Sequence, residues 1–193
     1  NGLKFDYDAD QFLIGTPAIG NIDADDDLEV VIGGYTSSGD VFAVNPDGTD
    51  VDGFPIQLNE KIWKGVALHD FNSNGLDDII VTTDGDDLIS LIYDDGTMET
   101  LLIADDKFKS SPSIVKSGDD YVVMAGSYDD NMHAVSSTGE VIFAIDTGDH
   151  VNSSASFINL NGAIYAFFGS DNGMLYAVDM EGNDLNGWPQ NIG

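Results

Sequence analysis

The chain lacks cysteine and arginine altogether and has only six lysines, five prolines and three histidines among 193 residues. Without cysteine there is no disulfide staple and no thiol chemistry, which neither supports nor excludes export. No apolar run approaches the roughly 20 residues that a membrane-crossing helix needs, so membrane insertion is not expected. The opening residues Asn1 to Asp6 do not read as a signal peptide, and any export signal is expected outside them. Positive charge is the scarcest commodity: 35 acidic residues give a formal net charge of -29 and a pI near 4.1. Phosphate backbones and anionic bilayers repel such a surface, which excludes nucleic acid as a partner.

What is present is a folded β pattern. The acids are interleaved with Val, Ile, Leu, Phe and Tyr in short periodic runs, and hydrophobic residues make up 42 % of the chain; a disordered acidic tail carries few of these. Length and even composition predict a single domain over 1–193. Most of the acids are aspartate, which suits turns and oxygen-ligand loops rather than strand interiors. Self-repulsion of this size calls for bound cations or a salty medium, so calcium and an extracellular or cell-surface location are expected.

Four segments share one layout, a strand and a polar turn closed by glycine: DVFAVNPDG, LISLIYDDG, NMHAVSSTG and MLYAVDMEG. Their closing glycines are Gly48, Gly96, Gly139 and Gly182, and Gly2 holds the same place one repeat earlier. A second marker runs in phase: Thr16-Pro17-Ala18-Ile19, Gly65-Val66-Ala67-Leu68, Ser111-Pro112-Ser113-Ile114 and Ser154-Ala155-Ser156-Phe157. Each unit holds four short apolar runs broken by Gly, Asp, Asn or Ser, and no stretch keeps a helical period. Four-stranded repeats of this length predict an all-β propeller of four blades, over about 14–60, 61–106, 107–149 and 150–193, preceded by one strand at 2–12. A sandwich is the alternative that such regular repetition disfavours. The surplus strand leaves two arrangements open: a closed four-bladed ring, or an arc of a larger propeller.

Two repeats carry a sharper pattern between their first and second strands. Asn21, Asp23, Asp25, Asp27 and Glu29 form one alternating set, and Asp70, Asn72, Asn74, Leu76 and Asp78 the other. Alternate residues of a tight loop point to one centre, and calcium takes six to eight hard oxygens, so side chains at positions 1, 3, 5 and 9 with a carbonyl at position 7 suit it. The alternative is an Asx-rich turn whose side chains cap backbone amides. Against that, the first loop holds five carboxylates within seven residues, which repel unless a cation separates them. Asp26 stands there where a glycine would ease the turn. The doublets Asp86-Asp87, Asp94-Asp95, Asp105-Asp106, Asp119-Asp120 and Asp129-Asp130 lack the spacing and read as solvated turns.

The two loops, followed by Val30-Val31-Ile32-Gly33-Gly34 and Ile79-Ile80-Val81, resemble the FG-GAP/VCBS repeats of integrin-α-like propellers. Tyr121 to Tyr128 and Gly169 to Asp179 resemble instead the pyrroloquinoline-quinone-type propeller repeat, without the metal loop. Gly53-Phe54-Pro55 and Gly187-Trp188-Pro189 echo the ending of such mixed bacterial repeats. The resemblance implies calcium ligation by the ten residues named above. It implies little about activity, since these repeats occur in adhesins, secreted peptidases and lyases alike.

No catalytic constellation is legible. His69 precedes the second loop, His133 fills a slot held by Phe42 and Tyr176 in sister repeats, and His150 sits in a connection. A quinone enzyme would need an arginine near its anionic cofactor. The expectation is a non-catalytic module that binds protein or glycan, with an ancillary domain of a secreted hydrolase or lyase as the alternative. Self-association completing a larger propeller is a further possibility. Trp63, beside Lys61 and Lys64 in an otherwise acidic chain, is the ligand-contact candidate.

Overall fold

The computed structural model describes residues 5–25 and 27–193. Gly2, the start of the expected 2–12 strand, and Asp26 lie outside the described residues. Among the described residues sixteen strands form four antiparallel sheets, each a meander in chain order. Blade 1 is β1 (Ala18–Gly20), β2 (Glu29–Gly33), β3 (Asp40–Val44) and β4 (Ile56–Gln57). Blade 2 is β5 (Ala67–His69), β6 (Asp78–Thr82), β7 (Leu88–Ile92) and β8 (Met98–Ile103). Blade 3 is β9 (Ser113–Ser117), β10 (Asp120–Gly126), β11 (Asn131–Ser136) and β12 (Val141–Asp146). Blade 4 is β13 (Ser156–Leu160), β14 (Ala163–Gly169), β15 (Met174–Asp179) and β16 (Gln190–Asn191). No helix occurs among the described residues.

The third strands β3, β7, β11 and β15 are the four segments whose turns end in glycine. Gly48, Gly96, Gly139 and Gly182 adopt φ of 89°, 80°, 82° and 83°, a region that side chains disfavour. Each turn therefore needs its glycine.

Residues alternate across each strand, so every blade has a forward face toward the next blade and a rear face toward the previous one. The forward face of blade 1 (Val31, Val41, Ala43) packs on the rear face of blade 2 (Ile79, Val81, Ile92). Blade 2 presents Ile80, Ile89 and Leu91 to Val123, Ala125 and Val135 of blade 3. Blade 3 presents Val122, Met124 and Ala134 to Ala166, Phe168 and Val178 of blade 4. Residues from the connecting segments plug these junctions: Ile62, Phe108 and Val151 are each 0 % exposed. Their amides bond to Gly34, Thr83 and Ser127 at 3.0–3.1 Å. Burying one such side chain is worth about 1.5–3 kcal/mol over leaving it in water.

Among the described residues no core cluster joins blade 4 to blade 1. The four blades are an open arc, which resolves the choice between ring and arc.

Residues 5–12 form no strand. Phe5 and Tyr7 lie against a sheet face, and the Phe12 carbonyl accepts the Tyr35 amide at 2.7 Å. Phe5, Tyr7 and Leu13 surround a small apolar cavity with Val30, Ile32 and Val44 of blade 1's rear face. The Tyr7 hydroxyl donates to Asp50 at 2.6 Å and its ring meets Phe42 edge-on.

Candidate metal centres

Both acidic loops are built as staircases of Asx turns, the local habit of Asp and Asn side chains. In the first, Asp23 Oδ1 accepts the Asp25 amide at 3.0 Å, and Asp25 Oδ1 accepts the Asp27 amide at 2.7 Å. In the second, Asn72 Oδ1 accepts the Asn74 amide at 3.0 Å and Asn74 Oδ1 the Leu76 amide at 2.8 Å. The ninth position closes each loop the same way: Glu29 Oε2 accepts the Ile22 amide at 2.7 Å, and Asp78 Oδ2 the Phe71 amide at 2.9 Å. Glu29 and Asp78 are both 0 % exposed, drawn into the sheet because they begin β2 and β6.

The loops differ in what remains unpartnered. Carboxylate oxygens of Asp23, Asp25 and Glu29 lie within 4.8 Å of one another, and Glu29 Oε1 is buried without a hydrogen-bond partner. A buried carboxylate oxygen left alone costs free energy, and a cation beside it removes that cost. Burial pushes the Glu29 carboxyl above the ordinary range; the Ile22 amide and, more weakly, the Asp23 amide oppose this, and the charges of Asp23 and Asp25 add to it. The residues of the first loop therefore fit a hard cation, which would pin β1 to β2. Asp27 is exposed, with its amide in the staircase. Asn21 turns its side-chain amide away, to the Gly75 carbonyl at 2.9 Å.

In the second loop the oxygens are occupied. Asp70 accepts the amides of Asn74 and Gly75 at 3.1 and 2.8 Å, and Asp78 Oδ1 accepts the Asp94 amide at 3.2 Å. Asp94, from the β7–β8 turn, also accepts from the side chains of Asn74 and Asn72 at 2.9 and 3.4 Å. Burial raises the Asp78 carboxyl, the amides of Phe71 and Asp94 oppose it, and the charges of Asp94 and Asp70 raise it again. Asp94 is thus part of this centre, although its doublet reads as a solvated turn. Spacing within one loop carries no signal for a carboxylate arriving from another hairpin.

The two loops touch. Asn21 donates its amide to Asp77 Oδ2 at 3.0 Å and accepts the Asp77 amide at 2.6 Å. Loop one thereby leans on loop two across the first blade junction.

Trp63 is half-buried in the connection between β4 and β5. Tyr35 meets it edge-on at 4.8 Å, and Lys109 Nζ sits 3.6 Å from its centroid while bonding Asp84 at 2.6 Å. His133 is buried as expected, in a 2.8 Å pair with Asp129 that sequence spacing does not announce. His150 stacks on Tyr128 at 4.0 Å and lies 3.1 Å from Asp130. Asp130, Asp149 and His150 form a second group of ligand atoms within 4.8 Å of one another, half-exposed. His69 packs between Phe71 and Tyr121.

With four radial sheets and their junctions in place, the chain is a β-propeller segment. Its likeness to solved propellers bears this out. The V. cholerae biofilm matrix protein Bap1 superposes with a TM-score of 0.72 at 18 % identity, over 93 % of this chain and 31 % of Bap1. BamB from Moraxella catarrhalis gives 0.64 at 18 % identity, over 90 % of this chain and 48 % of BamB. A streptogramin B lyase gives 0.59 at 15 % identity, over 89 % of this chain and 53 % of that one. The chain thus spans about half or less of these structures. In sequence, 93 residues are 27 % identical to the lambda-carrageenase of Pseudoalteromonas carrageenovora, which is 48 % of this chain and 9 % of that enzyme. No family model matches.

Proposed function

We propose that the chain is a non-catalytic, calcium-binding propeller module of the FG-GAP/VCBS kind, acting outside the cell by presenting a surface to a protein or glycan. One observation carries it: the buried, unpartnered Glu29 Oε1 converging with Asp23 and Asp25 in an alternating oxygen loop. The -29 charge, the likeness to a biofilm matrix protein and the propeller fold support the extracellular setting. The three histidines are packed on aromatic rings or hydrogen-bonded to Asp129 and Asp130, which supports binding over catalysis. Calorimetry with calcium tests the site. The unaltered chain is expected to bind calcium and to melt higher in it, by about 2.7 kcal/mol of added stability at a hundredfold excess over Kd. Glu29→Gln is expected to remove the binding at the first loop while leaving the sheet's circular dichroism unchanged. Equal calcium binding by the variant would overturn the assignment.

The likeness to lambda-carrageenase favours a second reading, an ancillary propeller of a secreted polysaccharide-degrading enzyme. Co-sedimentation with lambda-carrageenan and with a neutral galactan separates the two: retention by lambda-carrageenan alone favours the ancillary role, and retention by neither favours a protein partner.

A further inference from the structure

The junction of blades 3 and 4 brings a histidine and two acids together from separate stretches of chain. His150 lies face to face on Tyr128, 3° from parallel with centroids 4.0 Å apart, and its Nδ1 is 3.1 Å from Asp130 Oδ1. Asp149 completes the group, the three ligand atoms lying within 4.8 Å of one another. Asp130 comes from the β10–β11 turn, the other two from the β12–β13 connection. The buried Thr147 hydroxyl ties these stretches together, 3.0 Å from the Asp130 carbonyl and 2.6 Å from that of Asp149. The backbones that carry both acids are therefore fixed before any ligand arrives.

The preceding junction has the same arrangement with a different third member. The Asp87 carbonyl accepts the Ala104 amide at 2.9 Å as the Asp130 carbonyl accepts the Thr147 amide at 2.9 Å, and the two acids share a positive φ, 58° and 70°. The Lys107 carbonyl accepts the Tyr128 amide at 3.0 Å as the His150 carbonyl accepts the Asp171 amide at 2.9 Å. Asp87, Asp106 and Lys107 thus correspond to Asp130, Asp149 and His150. There the acids have an ammonium of their own: Lys107 Nζ is 3.9 Å from Asp106. Burial raises the Asp87 carboxyl, the charges of Asp106 and Asp84 add to this, and Lys107 opposes it. Lys61 stands in the same place one junction earlier, its carbonyl accepting the Asp84 amide at 3.0 Å. The third junction puts an imidazole where the first two put lysine. An ammonium neutralises carboxylates but has no lone pair to give, whereas a neutral imidazole leaves both negative charges in place and adds a ligand nitrogen beside them.

We infer that Asp130, Asp149 and His150 bind one divalent transition ion of the zinc class, through His150 Nδ1 and an oxygen of each carboxylate. Ligands about 2.0–2.2 Å from one zinc ion stand about 3.0–3.5 Å apart, the range in which His150 Nδ1 and Asp130 Oδ1 already lie. Asp149 accepts the His150 amide through Oδ1 at 2.9 Å, which sets its carboxylate beside the ring. The nitrogen donor separates this centre from the all-oxygen first loop: imidazole suits zinc, copper or nickel, whereas calcium takes oxygen. Three protein ligands on a half-exposed site leave a further position to water. None of this depends on calcium occupying either loop.

Calorimetry of the whole chain with zinc, in saturating calcium, tests it. One zinc ion per chain is expected above the weak, unsaturable uptake of a surface at -29. His150→Lys, which copies the other two junctions, is expected to lose that saturable isotherm with the sheet's circular dichroism unchanged, and Asp149→Asn to weaken it. Because the chain has only three histidines, nitrogen NMR of the unaltered chain adds a measurement that needs no variant: zinc is expected to shift His150 Nδ1 and to leave His69 and His133 in place. Equal zinc binding by His150→Lys, ring shifts at His69 or His133 instead, or uptake without a saturable step each overturns the inference.

Discussion

At the scale of single residues, the buried acids decide how the chain responds to pH. Asp129 is a case of opposing forces: burial raises its carboxyl, but the charge and hydrogen bond of His133, with the Asn131 and Asp105 amides, hold it below the ordinary range. A carboxyl lowered on folding stabilises the fold above its unfolded value of about 3.9 and loses that contribution as pH falls through the folded value. Asp129→Asn is therefore expected to destabilise the chain by about 1.5–3 kcal/mol at neutral pH and to flatten the acid limb of its stability profile. Chemical denaturation across pH reads both. Glu29 has the opposite sign. Raised on folding, it stabilises most below its unfolded value of about 4.3 and loses this as pH rises through the folded value. In chelator the melt is expected to climb on mild acidification, less so in Glu29→Gln, and calcium is expected to remove the difference.

At the scale of elements, the strands were legible and their long-range company was not. Period-two alternation and turn glycines place β3, β7, β11 and β15 directly, because those signals are local. The staircase loops were legible for the same reason, down to the ninth-position acids Glu29 and Asp78. Asp94 over the second loop and Lys109 on Trp63 were not, since each joins residues from different hairpins; nor was Asp129 on His133, a pair made by the folding back of the β10–β11 turn. The docking of loop one on loop two belongs with these. Asp77 belongs to neither alternating set, yet it holds Asn21 from across the junction. Asp77→Ala is expected to weaken calcium at the first loop about tenfold, as loss of outer support does at other metal sites. Titrating that variant beside Glu29→Gln distinguishes weakened from abolished binding.

At the scale of the whole molecule, charge sets the conditions. With 35 acids against six lysines, the folded arc compresses like charge, and sodium chloride alone is expected to raise the melt before any calcium is added. A melt that is flat with salt would place the repulsion elsewhere, in an unfolded chain as crowded as the folded one.

Four blades joined by three junctions form a line with two ends, and a line unravels differently from a loop. Among the described residues each inner blade packs on both sides, and blade 4 packs on blade 3. Unfolding in such stacks behaves like a row of coupled switches in which the last one flips first. In the isolated 193-residue chain, hydrogen exchange is expected to open β13 to β16 ahead of β5 to β8, which have a junction on each side.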